Sequence, residues 1–129
     1  EDIEELFKRM VLNILCLNFD DHAKNFAYLM DKNGKWSLSP AYDITYSKGL
    51  MKSHTTTVCG KDSNITRNDV LKIAKAQGIK TTSAIKIIDS CIEVVKTFEQ
   101  RAKELGLDID TVESCKSDIN NQIKLLLMI

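Results

Sequence analysis

Asp20, Asn25 and Asp43 are the side chains whose types and spacing point most directly to chemistry. Ionisable and amide groups crowd into the run Asn18-Phe19-Asp20-Asp21-His22-Ala23-Lys24-Asn25, and an acid returns at Asp43 beyond an Asn33-Gly34 pair. The segment between them is expected to form an antiparallel hairpin. Such a hairpin leads the chain out and back, so Asn25 just before its first strand and Asp43 just after its second lie side by side. One carboxylate and one amide oxygen are what Mg²⁺ takes from a protein when substrate phosphates and water fill its other positions. Asp20, five residues before Asn25, is left free to face a hydroxyl.

The elements that must position these groups follow from periodicity. Ile3, Leu6, Phe7, Met10, Val11, Ile14 and Leu15 recur at three- and four-residue steps, which predicts a helix over residues 3–17 with Glu4, Glu5, Lys8 and Arg9 on its polar face. Residues 19–25 have neither helical nor strand period and read as a loop. Strands are expected over 26–30 and 36–38, joined by a turn in which Asn33 and Gly34 supply positive φ, with Phe26 and Trp36 as packing anchors. Pro40, which has no amide hydrogen, ends the second strand. Residues 45–64 read as irregular apart from a short strand over 55–59, and His54 receives no role. Thr66 and Asp69 form a capping box for a short helix that Gly78 closes. Ser83 is expected to cap a longer helix carrying Ile87, Ile88, Cys91, Val94, Val95, Phe98 and Ala102, closed by Gly106. Asp110 and Glu113 read as a second capping box, opening a helix that runs through Val112, Cys115, Ile119, Ile123 and Leu126 to the chain end.

These elements make one domain over residues 1–129, mainly α with a small β-hairpin (α+β). The 43% hydrophobic and 28% charged composition is that of a soluble globular chain. Eighteen basic residues balance eighteen acidic ones, so no overall field draws the chain to nucleic acid or an anionic membrane. Locally, residues 32–80 hold nine basic and three acidic groups and are flanked by acidic segments, which leaves open a surface that meets phosphates. The longest apolar run, residues 125–129, is far short of the ~20 residues of a membrane span. Cys16, Cys59, Cys91 and Cys115 show no C-x-x-C spacing and read as reduced residues of a cytoplasmic protein. The amphipathic pattern starts at Glu1 without an initiator Met, so the chain is expected to be a segment of a longer protein.

The interval from Asp20 to Asn25 resembles the protein-kinase catalytic loop, in which an Asp precedes a metal-binding Asn by five residues and a second metal-binding Asp follows a hairpin. Phe19 stands where that loop has Arg, and Tyr42-Asp43-Ile44 stands where it has D-F-G. The fuller string from Asn18 to Phe26, followed by Leu38-Ser39-Pro40-Ala41-Tyr42-Asp43-Ile44, resembles the C-terminal domain of HipA-type toxin kinases of bacterial toxin–antitoxin systems. The resemblance implies a helical kinase lobe and a serine/threonine protein kinase that uses ATP and Mg²⁺. It implies Asp20 as catalytic base, His22, Lys24 and Asn25 near nucleotide phosphates, Asn25 and Asp43 as Mg²⁺ ligands, and Tyr42 beside the nucleotide. It further implies an aminoacyl-tRNA synthetase as protein substrate, a DNA-binding antitoxin as partner, DNA contact only through that partner, and an N-terminal ATP-binding lobe outside this chain. Asp21 departs from the Gly of many relatives, and its charge must point away from phosphate or bind metal. Two other readings stand beside this one: a degenerate pseudokinase, and a helical module that contacts an antitoxin or DNA. A hydrolytic metal site built on Asp20, Asp21 and His22 is the weakest.

Overall fold

Helix α1 (Asp2–Leu15) forms because its apolar residues repeat at helical spacing and Asp2, Glu4 and Glu5 complement the positive end of its dipole. In the computed structural model, which describes residues 1–47 and 52–128, a 3-10 turn follows at Ala23–Asn25. Strands β1 (Tyr28–Met30) and β2 (Trp36–Leu38) come next, then α2 (Arg67–Ala76), α3 (Thr81–Lys96), α4 (Phe98–Glu104) and α5 (Ile109–Leu127). The architecture is mainly α with a small antiparallel hairpin, as the periodicity predicts. Residues 48–51 of the expected irregular stretch, and Ile129 at the end of the last apolar run, lie outside the described residues.

The core is helical. Phe7, Val11, Ile14 and Leu15 of α1 are buried where α1 packs on α3, which contributes Ala84, Ile88, Cys91 and Ile92. Ile119, Ile123 and Leu126 of α5 close the cluster, and each fully buried Leu or Ile contributes roughly 1.5–3 kcal/mol. Burial pushes the Cys91 thiol up to about 11, and Cys16, Cys59 and Cys91 are free thiols. Among the described residues no helix is long and apolar enough to cross a membrane.

Several boundaries differ from the sequence reading, each for a local reason. Helix α1 stops at Leu15 because Leu17 takes a positive φ of 51°, and the Leu17 and Asn18 amides turn back to the Ile14 and Asn13 carbonyls. Arg9, assigned to the polar face, is buried. The predicted long helix is broken at Thr97, whose hydroxyl donates to the Val94 carbonyl, a bond that competes with the helical ladder. Val94 is exposed, and Ile92 takes the buried place. Helix α3 starts at Thr81 with Lys80 before it, so Ser83 lies inside the first turn. The cap of α5 is Asp108, which accepts from the Thr111 amide at 3.0 Å, two residues before the expected box. The Thr66–Asp69 capping box of α2 forms as predicted, and Gly106 ends α4 with φ 78°.

In the hairpin, Tyr28 pairs with Leu38, Leu29 with Ser37 and Met30 with Trp36. Of the Asn33-Gly34 pair only Gly34 has positive φ, at 79°. The Asp31 carboxylate replaces the second left-handed residue by accepting from the Asn33 and Lys35 amides. Trp36 is 63% exposed and anchors nothing, because no other strand joins the two-stranded sheet among the described residues. No strand forms over 55–59. The Thr55 and Thr56 amides are spent on Phe19 and Asp21, and Val58 and Lys61 pair only with each other across Cys59-Gly60.

Candidate active site

The end of α1 delivers Asn18 into the interior, where its side-chain amide donates to Asn13 Oδ1 and to the Asp43 carbonyl, both at 2.9 Å. Asp43 has φ 57°, a left-handed conformation that Asp tolerates better than most residues. Its carbonyl therefore turns inward to Asn18, and its side chain is exposed. Arg9 reaches from α1 to the root of the hairpin, where one guanidinium nitrogen donates to the Ser39 carbonyl at 2.6 Å and Nε pairs with Glu5 at 3.0 Å. The Ser39 amide in turn donates to the Ala27 carbonyl at 2.8 Å, extending the ladder toward its feet.

Those feet carry the predicted groups. Asn25 and Asp43 line one narrow cleft with Phe26 and Tyr42, floored by Arg9 and Asn13. The Asn25 side chain donates to the Asp20 backbone carbonyl at 3.0 Å. A carbonyl only accepts, so the amide nitrogen faces Asp20 and Oδ1 remains for another partner. The Tyr42 hydroxyl donates to the Lys24 carbonyl at 2.8 Å, which ties one foot of the hairpin to the other. Lys24 itself is exposed. The Asp20 carboxylate is 64% exposed and lies outside the lining of the cleft, with His22 Nε2 at 3.8 Å from Oδ1. His22 Nδ1 is buried with no hydrogen-bond partner among the described residues.

Asp21 turns the opposite way. It is buried, Oδ2 lies 2.9 Å from His54 Nδ1, and Oδ1 accepts from the Thr56 amide at 3.0 Å. Burial alone would push its carboxyl up, but the His54 and Thr56 hydrogen bonds outweigh that and hold it below the usual carboxylate range. Asp21 thus points away from the exposed Asp20, and a metal site shared by Asp20, Asp21 and His22 does not form.

The oxygen donors present suit a hard cation. Asn25 and Asp43 line the same cleft, while no cluster of three His, Cys, Asp or Glu converges among the described residues. An ion held here would draw its other ligands from phosphate and water, as Mg²⁺ does. Arg9, Asn13, Asn18 and His54 were not singled out as site residues by sequence. Asn13 carries a signal, being a lone amide inside Met10-Val11-Leu12-Asn13-Ile14-Leu15. The pairing of His54 with Asp21 carries none, because the two are 33 residues apart.

No curated protein matches the chain. The family model described as the HipA-like C-terminal domain matches residues 1–117, which takes in α1, the loop, the hairpin, α2 to α4 and the first half of α5. With that match spanning most of its length, the chain belongs to the HipA-like C-terminal domain family.

Proposed function

We propose that this chain supplies the catalytic-loop and metal-binding half of a HipA-type serine/threonine protein kinase, which passes the γ-phosphoryl group of ATP to a Ser or Thr of a protein. The observation that carries the reading is that Asn25 and Asp43 line one cleft while the Asn25 amide holds the backbone of Asp20. The exposed Asp20 carboxylate orients the substrate hydroxyl and accepts its proton late in a loose transfer, where position matters more than basicity. The hydroxyl oxygen bonds to the γ-phosphorus, the bond to the bridging oxygen breaks, and ADP leaves. Asn25 Oδ1 and the Asp43 carboxylate would hold Mg²⁺, which when bound offsets charge on the phosphate oxygens. Lys24 adds positive charge and His22 a hydrogen bond toward the same oxygens. Tyr42, pinned through its hydroxyl, keeps its ring at the mouth of the cleft beside the nucleotide.

An N-terminal lobe carrying the phosphate loop and the ATP-positioning lysine would cover this face and exclude water. By family, the protein substrate is an aminoacyl-tRNA synthetase, and a DNA-binding antitoxin restrains the kinase and makes any DNA contact. The test is radiolabelled phosphoryl transfer from Mg-ATP by the full-length protein that contains this chain, wild type against Asp20→Asn, with autophosphorylation as the readout. Transfer that is lost in Asp20→Asn is expected. Equal transfer by both would remove Asp20 from the mechanism, and no transfer by either folded protein would favour a non-catalytic binding module.

A further inference from the structure

The buried pair His54–Asp21 has no part in the chemistry above, yet it sits directly behind the loop that presents Asp20. Both neighbours of Asp20 are fastened to residues 54–56. The Phe19 carbonyl accepts from the Thr55 amide at 3.1 Å and from the Thr55 hydroxyl at 2.6 Å. The Phe19 ring meets the His54 ring edge-on, with centroids 4.9 Å apart. On the other side, Asp21 accepts from the Thr56 amide at 3.0 Å, its backbone carbonyl accepts from the Thr56 hydroxyl, and its second carboxylate oxygen faces His54 Nδ1 at 2.9 Å. Asp20, between them, has 64% of its side chain exposed.

We propose that His54 is a positioning residue: its Nδ1–H, acting through the Asp21 carboxylate, fixes the loop that holds Asp20 toward substrate. The hydrogen lies on Nδ1 because an ionised carboxylate only accepts. The His54 side chain is 2% exposed and that of Asp21 9%, so loss of the donor leaves a carboxylate in an interior with too few hydrogen bonds. The loop relieves that cost by swinging Asp21 out to water, and a swing at Asp21 rotates Asp20, its neighbour in the chain. Thr55 and Thr56 hold the Phe19 and Asp21 carbonyls and one Asp21 carboxylate oxygen, which leaves the second carboxylate oxygen to His54.

The kinetic half of the test rests on the kinase reading and the exchange half does not, so the two can fail separately. Hydrogen exchange on this 129-residue chain reads the loop directly. In His54→Ala the Thr55 and Thr56 amides, which the loop protects, should exchange about tenfold faster or more, with the α3 amides of Ile88 and Ile92 unchanged. His54→Asn places an amide N–H near the position of Nδ1–H and should restore most of that protection. In the full-length protein, His54→Ala should lower kcat about tenfold or more with KM for ATP kept, and His54→Asn should recover most of it. Unchanged exchange in His54→Ala, equal loosening in His54→Asn, or loss spread evenly into α3 would each overturn the assignment. Faster loop exchange without any wild-type transfer would uphold the clamp and remove the kinase reading.

Discussion

The Asn18 side chain and the Asp43 backbone carbonyl are joined by a 2.9 Å hydrogen bond across 25 residues of chain. Asn18 is 2% exposed and its other contact, Asn13 Oδ1, is also buried. Asn18→Ala leaves two interior acceptors without a donor and should cost about 1–3 kcal/mol, read as a fall in urea midpoint at unchanged m-value. It should also weaken Mg²⁺-dependent nucleotide binding by the full-length protein, since the Asp43 backbone loses its tether. Unaltered stability would show that the Asp43 conformation is held by the hairpin alone.

Asp20→Asn tests chemistry without testing the fold. The carboxylate is 64% exposed, and His22 Nε2 lies 3.8 Å away. Stability should stay within about 0.5 kcal/mol of wild type, nucleotide affinity should persist, and phosphoryl transfer should disappear. Melting curves, nucleotide titration and radiolabel transfer on the same preparations separate these effects.

Asp43 carries two demands, a ligand and a left-handed backbone. Asp43→Asn retains the tolerance for φ 57° and should leave stability within about 0.5 kcal/mol, whereas Asp43→Ala should cost roughly 1–2 kcal/mol for the same backbone. Both should weaken Mg²⁺-dependent nucleotide binding. A stable Asp43→Ala with unimpaired binding would contradict both assignments.

Acid should unfold the chain partly through Asp69. Burial alone would push its carboxyl up, but the Lys61 ammonium at 2.7 Å and the Thr66 amide at 2.9 Å outweigh that and hold it at about 2, down from 3.8. A folded-state value below the unfolded one means that the contribution is fully present above 3.8 and is lost as pH falls toward about 2. Thermal melts between about pH 5 and pH 2 should fall less steeply for Asp69→Asn than for wild type. Parallel curves would show that Asp69 is not among the groups driving acid unfolding. Asp21, also held low, adds to the slope with the same sign.

What the sequence made legible was local. Helical spacing found the faces of α1, α2, α3 and α5, and the Thr66–Asp69 box located the start of α2, because these depend on residues within a few positions of each other. The break at Thr97 and the cap at Asp108 were missed because Ala102 continues the apolar stripe past Thr97 and Asp110 imitates the cap. The hairpin was predicted with nearly correct strands, and with it the neighbourhood of Asn25 and Asp43. Long-range polar contacts had no such signature. Arg9 looks like a surface residue until Ser39, 30 residues on, gives it an acceptor, and His54 looks idle until Asp21 faces it.

The ladder of the hairpin fixes more than its own strands. Asn25 and Asp43 stand at its two feet, so the pairing of Tyr28 with Leu38, together with the Asn18 tether on Asp43 and the Tyr42–Lys24 bond, sets their separation in space. A slip of one residue would move one foot past the other by about 3.4 Å and turn the slipped strand over. Residues 31–35 at the far end have no such hold, and an insertion there lengthens the loop without moving the feet. The count of residues between the amide and the acid is therefore a poor signature of this site. A pattern search keyed to that count would overlook a chain with the same cleft and a longer turn.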